Sequence, residues 1–173
     1  MMFQNPEIAI DDLPNMVDLD WQSLDPHFVR RLQVEHGLTA LASLAGATAF
    51  SVLVPVPPFE TIPLWVLVES FAIATFAWPG ISVPRQGYAV REKDIVFKKG
   101  VVWRSVTAIP YNRIQHVETS NTILDRKFGV ASLKLFTAGG SGGDLKVRGI
   151  SANNAERLRI FVLNKIGASI ENH

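Results

Sequence analysis

Nothing between Gly37 and Phe59 carries a charge, and after Glu60 a second apolar run, Ile62 to Trp78, is broken only by Glu69. No other feature of the chain limits its fold as tightly. A helix of about 20 residues is about 30 Å long, the thickness of a bilayer's hydrocarbon core. As helices of a soluble core, two neighbouring runs of this kind would have little polar surface to offer water. The pattern predicts a transmembrane hairpin with spans over about residues 38–58 and 62–79.

Orientation follows from the flanks. The turn from Pro55 to Pro63 holds no Lys or Arg, whereas Arg30 and Arg31 precede the first span and Arg85, Arg91 and Lys93 follow the second. The positive-inside rule therefore places both termini in the cytoplasm. An acidic upstream flank argues against a cleaved signal peptide, which requires a basic leader. Trp65 and Trp78 fall near opposite ends of the second span and are expected at the two membrane interfaces.

Within the hairpin, Ala42, Gly46 and Ala49 recur at helical spacing and predict the face on which the two spans pack. Glu69 stands out, because a carboxylate at that depth costs several kcal/mol unless it is protonated, paired or wetted. It suits a proton or ion relay or a contact with a partner helix. A carboxyl that snorkels or hydrogen-bonds across the hairpin is the structural counterpart of that reading.

A net charge of +1 conceals a strong segregation of sign: residues 1–36 carry −5, residues 37–84 carry −2 and residues 85–173 carry +8. Three regions follow, an acidic N-terminal segment (1–24), the membrane hairpin (25–84) and a basic cytoplasmic domain (85–173). The absence of cysteine excludes a disulfide scaffold, thiolate metal sites and a cysteine nucleophile.

Beyond Pro84 short strand-like segments alternate with turns. Strands are expected over Gly87–Glu92, Ile95–Lys99, Val101–Pro110, Ile114–Ser120, Ala131–Ala138 and Asp144–Ile150, with turns at Glu92–Asp94 and Lys98–Gly100. Thr122 and Asp125 have the spacing of a capping box for a short helix that Gly129 would end. Near the C-terminus, Asn153 to Glu156 reads as a helix cap, and Ala155, Leu158, Phe161, Val162 and Ile166 form an apolar stripe. Antiparallel strands closed by one amphipathic helix describe a pleckstrin-homology-like (PH-like) β-barrel or sandwich. The predicted class is an α+β membrane protein: a two-helix transmembrane hairpin, then a PH-like domain capped by a C-terminal α-helix.

The segments Tyr88 to Arg104, Thr107 to Val117, Leu124 to Gly129 and Thr137 to Gly143, in that order, resemble the bacterial YdbS-like family of PH-like membrane proteins. The resemblance covers about residues 25–168 and leaves out the acidic first 24 or so. It implies two transmembrane helices before one PH-like domain, location in the bacterial inner (plasma) membrane, and partnership with a larger paralogue bearing several copies of the domain. It supplies no catalytic residues.

No catalytic chemistry is expected. The Gly-rich run from Gly139 to Gly143 lacks the following Lys-Ser or Lys-Thr of a phosphate loop and reads as a hairpin loop. His27, His36, His116 and His173 lack zinc-ligand spacing, the serines lack a nucleophile elbow, and neither metal nor cofactor is expected. Nucleic acid is not an expected partner, because no aromatic residues interleave a basic face.

From Trp78 to Tyr88 the chain reaches at most about 35 Å, so the domain is held near the anionic cytoplasmic leaflet. Lys98, Lys99, Arg104, Arg113, Arg126 and Lys127 are accordingly the candidate lipid or partner contacts. The expected function is non-enzymatic: a PH-like interaction domain that assembles with itself or a related membrane protein, touches anionic lipid and serves in envelope maintenance or stress defence. The alternative is an accessory subunit of a transporter or membrane enzyme that uses Glu69.

Overall fold

A computed structural model describes residues 19–54, 57–138 and 144–171. The acidic residues 1–18, part of the proline-rich turn and the Gly-rich run lie outside these described residues.

The first helix, α1 (Pro26–Leu53), begins well upstream of the start expected near residue 38. Asp25 caps it, its Oδ1 accepting from the His27 N–H at 2.9 Å, and Pro26 fills the first helical position with a φ already suited to it. The opening turns are embedded in the folded domain, with Leu24 and Phe28 in its core. A short strand, β1 (Gln22–Ser23), pairs with the domain's sheet just before the helix. One core therefore takes in Leu24 and Phe28 together with residues from Val83 onward.

The second helix, α2 (Pro58–Ser82), packs back along α1. Both are long and apolar enough to cross a membrane. Contrary to expectation, Ala42, Gly46 and Ala49 are all exposed, and a Cβ at Gly46 would meet nothing within 4 Å. The inward residues of α2 are instead Thr61, Trp65, Val68, Ala72, Thr75 and Pro79, facing His36, Ala40, Ala47 and Ser51 of α1. Polar clasps select this face. Trp65 Nε1 donates to Ser51 Oγ at 3.2 Å, which ties this indole to α1. Pro79 has no N–H, which removes the usual helical donor for the Thr75 carbonyl four residues earlier. His36 Nδ1 donates to that oxygen at 2.6 Å.

The chain then forms two antiparallel sheets. One has the order β1, β2 (Gly87–Val90), β3 (Asp94–Lys99), β4 (Ser105–Pro110). The other has the order β5 (Ile114–Ser120), β6 (Val130–Thr137), β7 (Leu145–Ser151). No ladder joins them among the described residues, so the expected barrel or sandwich takes the form of two sheets over a shared core. Tyr88, Ile95, Phe97 and Ile109 from the first sheet meet Val117, Leu133, Leu135 and Val147 from the second.

A strand expected from Val101 starts only at Ser105. Gly100 has φ +108°, and a Cβ there would collide with the Trp103 carbonyl oxygen, so the chain folds tightly back on itself and leaves the ladder. Lys98 and Lys99 end the expected strand Ile95–Lys99 as β3 residues paired with Val106 and Ser105, so of the expected turn Lys98–Gly100 only Gly100 lies outside the ladder.

Between the second sheet's strands lies α3 (Ile123–Lys127), with the predicted capping box formed by Thr122 and Asp125 and with Gly129 beyond its end at φ +68°. The last helix, α4 (Ala152–Glu171), covers the core with Ala155 and Val162, flanked by Leu158 and Ile166. Its cap is Ser151, not Asn153: Ser151 Oγ accepts from the Asn154 N–H at 3.3 Å. Phe161 meets Tyr111 edge-on, with ring centroids 5.8 Å apart.

Candidate functional site

β3 is an inner strand of its sheet, with Ile95, Val96 and Phe97 all buried. It leaves the core at Lys98 and Lys99, and that end of the sheet meets the end of α2. Arg85 caps the helix by donating from Nη1 to the Ile81 carbonyl at 2.7 Å, a cation placed at the negative end of the helix dipole. Gly87, with no side chain, makes room for the Lys98 stem: a Cβ there would lie 3.1 Å from Lys98 Cε. The Lys98 ammonium sits 4.3 Å from the centre of the Trp21 ring, a cation–π contact that fixes the amine at the surface.

In this way Arg85, Lys98, Lys99 and Arg104 line one cavity of about 250 Å³, together with Gly100, Ser105 and Val106. Such a concentration of cations on the surface of a folded domain suits phosphate or carboxylate oxygens. Three of these residues are candidates from the sequence. Arg85 is the addition: in the sequence it serves only as a flank for orienting the span, although its position right after the helix was a signal that it stands where the domain begins.

The remaining candidates are distributed elsewhere. Arg113 is exposed in an adjacent hollow of about 500 Å³ that it shares with Lys99, Asp144 and Lys146. Arg126 and Lys127 are exposed on α3 and line neither cavity. Glu69 is exposed on the flank of the helix pair, beside a groove of about 230 Å³ bordered by Gly37, Ser43 and Leu44.

A buried ion pair, absent from the sequence reading, ties α1 to α3. Arg31 Nε donates to Asp125 Oδ1 at 2.7 Å, while the same guanidinium also meets Glu35 one turn along the helix. Burial alone would raise the Asp125 pKa, but hydrogen bonds from Thr122 and the Arg31 guanidinium outweigh it and hold the carboxyl below its ordinary range. Phe28 lies against Gly149 of β7, whose φ of +78° and missing side chain let the ring approach; a Cβ there would strike it. The Asp25 N–H donates to the Gly149 carbonyl at 2.8 Å. These contacts make α1 a continuous rod from the core of the domain into the helix pair.

At the other end of β3, Arg91 and Asp94 form an ion pair across the β2–β3 turn. Tyr111 Oη donates to the Arg91 carbonyl at 2.9 Å, and burial first, then the Asp94 charge, pushes the phenol up to about 12. Among the described residues no group of three or more His, Asp or Glu is gathered as a metal site.

Of the comparisons with known proteins, one bears on this architecture. Neither curated proteins nor solved structures yielded a match. A family model described as a bacterial PH domain matches residues 32–166, which takes in the helix pair from just after Arg31, both sheets and α4 as far as Ile166. With the match covering most of the chain and the two-sheet, C-terminal-helix fold agreeing with it, the chain belongs to the bacterial PH domain family.

Proposed function

We propose that this chain is a non-enzymatic protein of the bacterial inner membrane, of the YdbS-like kind. Its helix pair anchors a cytoplasmic PH-like interaction domain whose basic cavity contacts the phosphate groups of anionic lipid. The observation that carries this reading is the place of Arg85. It closes α2 and lines the same cavity as Lys98, Lys99 and Arg104, so the cationic site lies at the level where the second apolar helix ends. Near an anionic leaflet each cation contributes about 1 kcal/mol, enough for four together to set the orientation of a tethered domain. Assembly with a second copy or with a larger PH-like membrane protein completes the proposal.

Full-length protein in nanodiscs of phosphatidylglycerol or of phosphatidylcholine tests it through amide hydrogen exchange. Exchange at Lys98–Val106 is expected to slow in the anionic discs, and Lys98→Glu with Lys99→Glu and Arg104→Glu should abolish the difference. Equal exchange in both lipids would remove lipid contact from the reading, and release of the wild type from native membranes by alkaline carbonate would remove the anchor. Crosslinking in intact membranes followed by mass spectrometry reads the partner.

A further inference from the structure

The loop that closes β3 onto β4 carries two exposed apolar side chains beside the basic cavity: Val102 is 74% exposed and Trp103 88%. Neither belongs to the core. The loop reverses tightly, with the Trp103 carbonyl in the space where any residue but glycine at position 100 would place a Cβ. The two apolar side chains stand outside this reversal, exposed. Around the base of this apex stand Lys98, Lys99 and Arg104, with Arg85 at the end of α2 on the same cavity.

An aromatic and an aliphatic tip above a ring of cations is the pattern of a membrane-interface anchor. The ring and methyls replace water among the glycerol and upper acyl groups, while the cations remain with the phosphates. We propose that the Gly100–Arg104 loop inserts Val102 and Trp103 into the interfacial zone of the leaflet that α2 leaves, forming a third attachment beside the two helices. This inference rests on the proposed anchoring and adds to it a site and a depth. Two observations commit it to lipid: the cations match the charge of an anionic leaflet, and both ends of the loop, Gly100 and Arg104, line the same cavity as Arg85 at the close of an apolar helix.

The lack of native cysteine makes the test direct, since one introduced thiol is unique. Val102→Cys, Leu67→Cys on α2 and Glu92→Cys are each labelled with a nitroxide in full-length protein in phosphatidylglycerol nanodiscs. Glu92 is exposed in the turn at the opposite end of β3, about 20 Å from the loop along the strand. Collision with oxygen, which concentrates in lipid, is compared with collision with a polar nickel chelate. The oxygen-to-nickel ratio at position 102 is expected to exceed that at 92 several-fold and to fall toward it when Trp103→Ser is added. A ratio at 102 equal to that at 92, with position 67 in lipid, overturns the inserted loop while the anchor stands. Position 67 reading as solvent overturns the anchor and the inserted loop with it. Protection of position 102 from both reagents, with spin–spin broadening between copies, assigns the apex to a protein contact and overturns the lipid assignment.

Discussion

Arg31 and Asp125, 94 residues apart in the chain, meet inside the protein at 2.7 Å and join α1 to α3. The carboxylate also completes the capping box of α3, so one side chain serves a local helix end and a long-range ion pair. Removal of one partner leaves a buried charge without its counter-ion, which is costlier than loss of both. Arg31→Met should lower the unfolding free energy by about 3 kcal/mol, and addition of Asp125→Asn to it should cost less than the two single changes summed. Denaturant unfolding in detergent micelles gives the cycle; strictly additive single effects would show that the pair is not coupled.

Acid should weaken the same joint. The folded Asp125 pKa lies below its unfolded value of about 3.9, so its contribution is present above that pH and lost as pH falls through the depressed folded value. Thermal unfolding between pH 6 and 2 should show a stability loss in the wild type that is smaller in Asp125→Asn. Parallel profiles for the two proteins would assign acid sensitivity to other carboxyls.

His36 answers a problem created by Pro79. With no proline N–H to satisfy it, the Thr75 carbonyl depends on His36 Nδ1 at 2.6 Å. His36→Leu should destabilise the hairpin by about 1–3 kcal/mol, and Pro79→Ala, which restores the helical donor, should recover most of the loss. Protease resistance of the micelle-bound protein on heating measures both; no recovery in the double variant would refute the link.

Tyrosine ionisation provides a separate check on the core. The chain has two tyrosines, Tyr88 and Tyr111, and burial raises both, Tyr111 to about 12. Because each folded pKa exceeds the unfolded value of about 10, the stability they contribute is complete below pH 10 and lost as pH rises through the folded values. Ultraviolet titration should show no phenolate step near pH 10 before the protein unfolds; a normal step there would place a phenol in solvent.

What the sequence determined by itself was whatever depends on neighbours a few residues apart: the two long apolar helices, the Thr122–Asp125 capping box, the α4 stripe and β5 over Ile114–Ser120. Helical and strand periodicities are local, so apolar spacing and cap chemistry report them directly. Tertiary structure alone decided which helix face turns inward, and it chose His36, Ala47 and Ser51 over Ala42, Gly46 and Ala49. Residue size permits close approach, but hydrogen bonds to a partner set a helix's rotation about its axis. The same holds for the site. Arg85 joins Lys98, Lys99 and Arg104 only because β3 ends beside α2, whereas Arg126 and Lys127 are carried away on α3. Cations far apart in the chain become one site when strand register and helix packing bring their backbones together, and no local pattern encodes that distance.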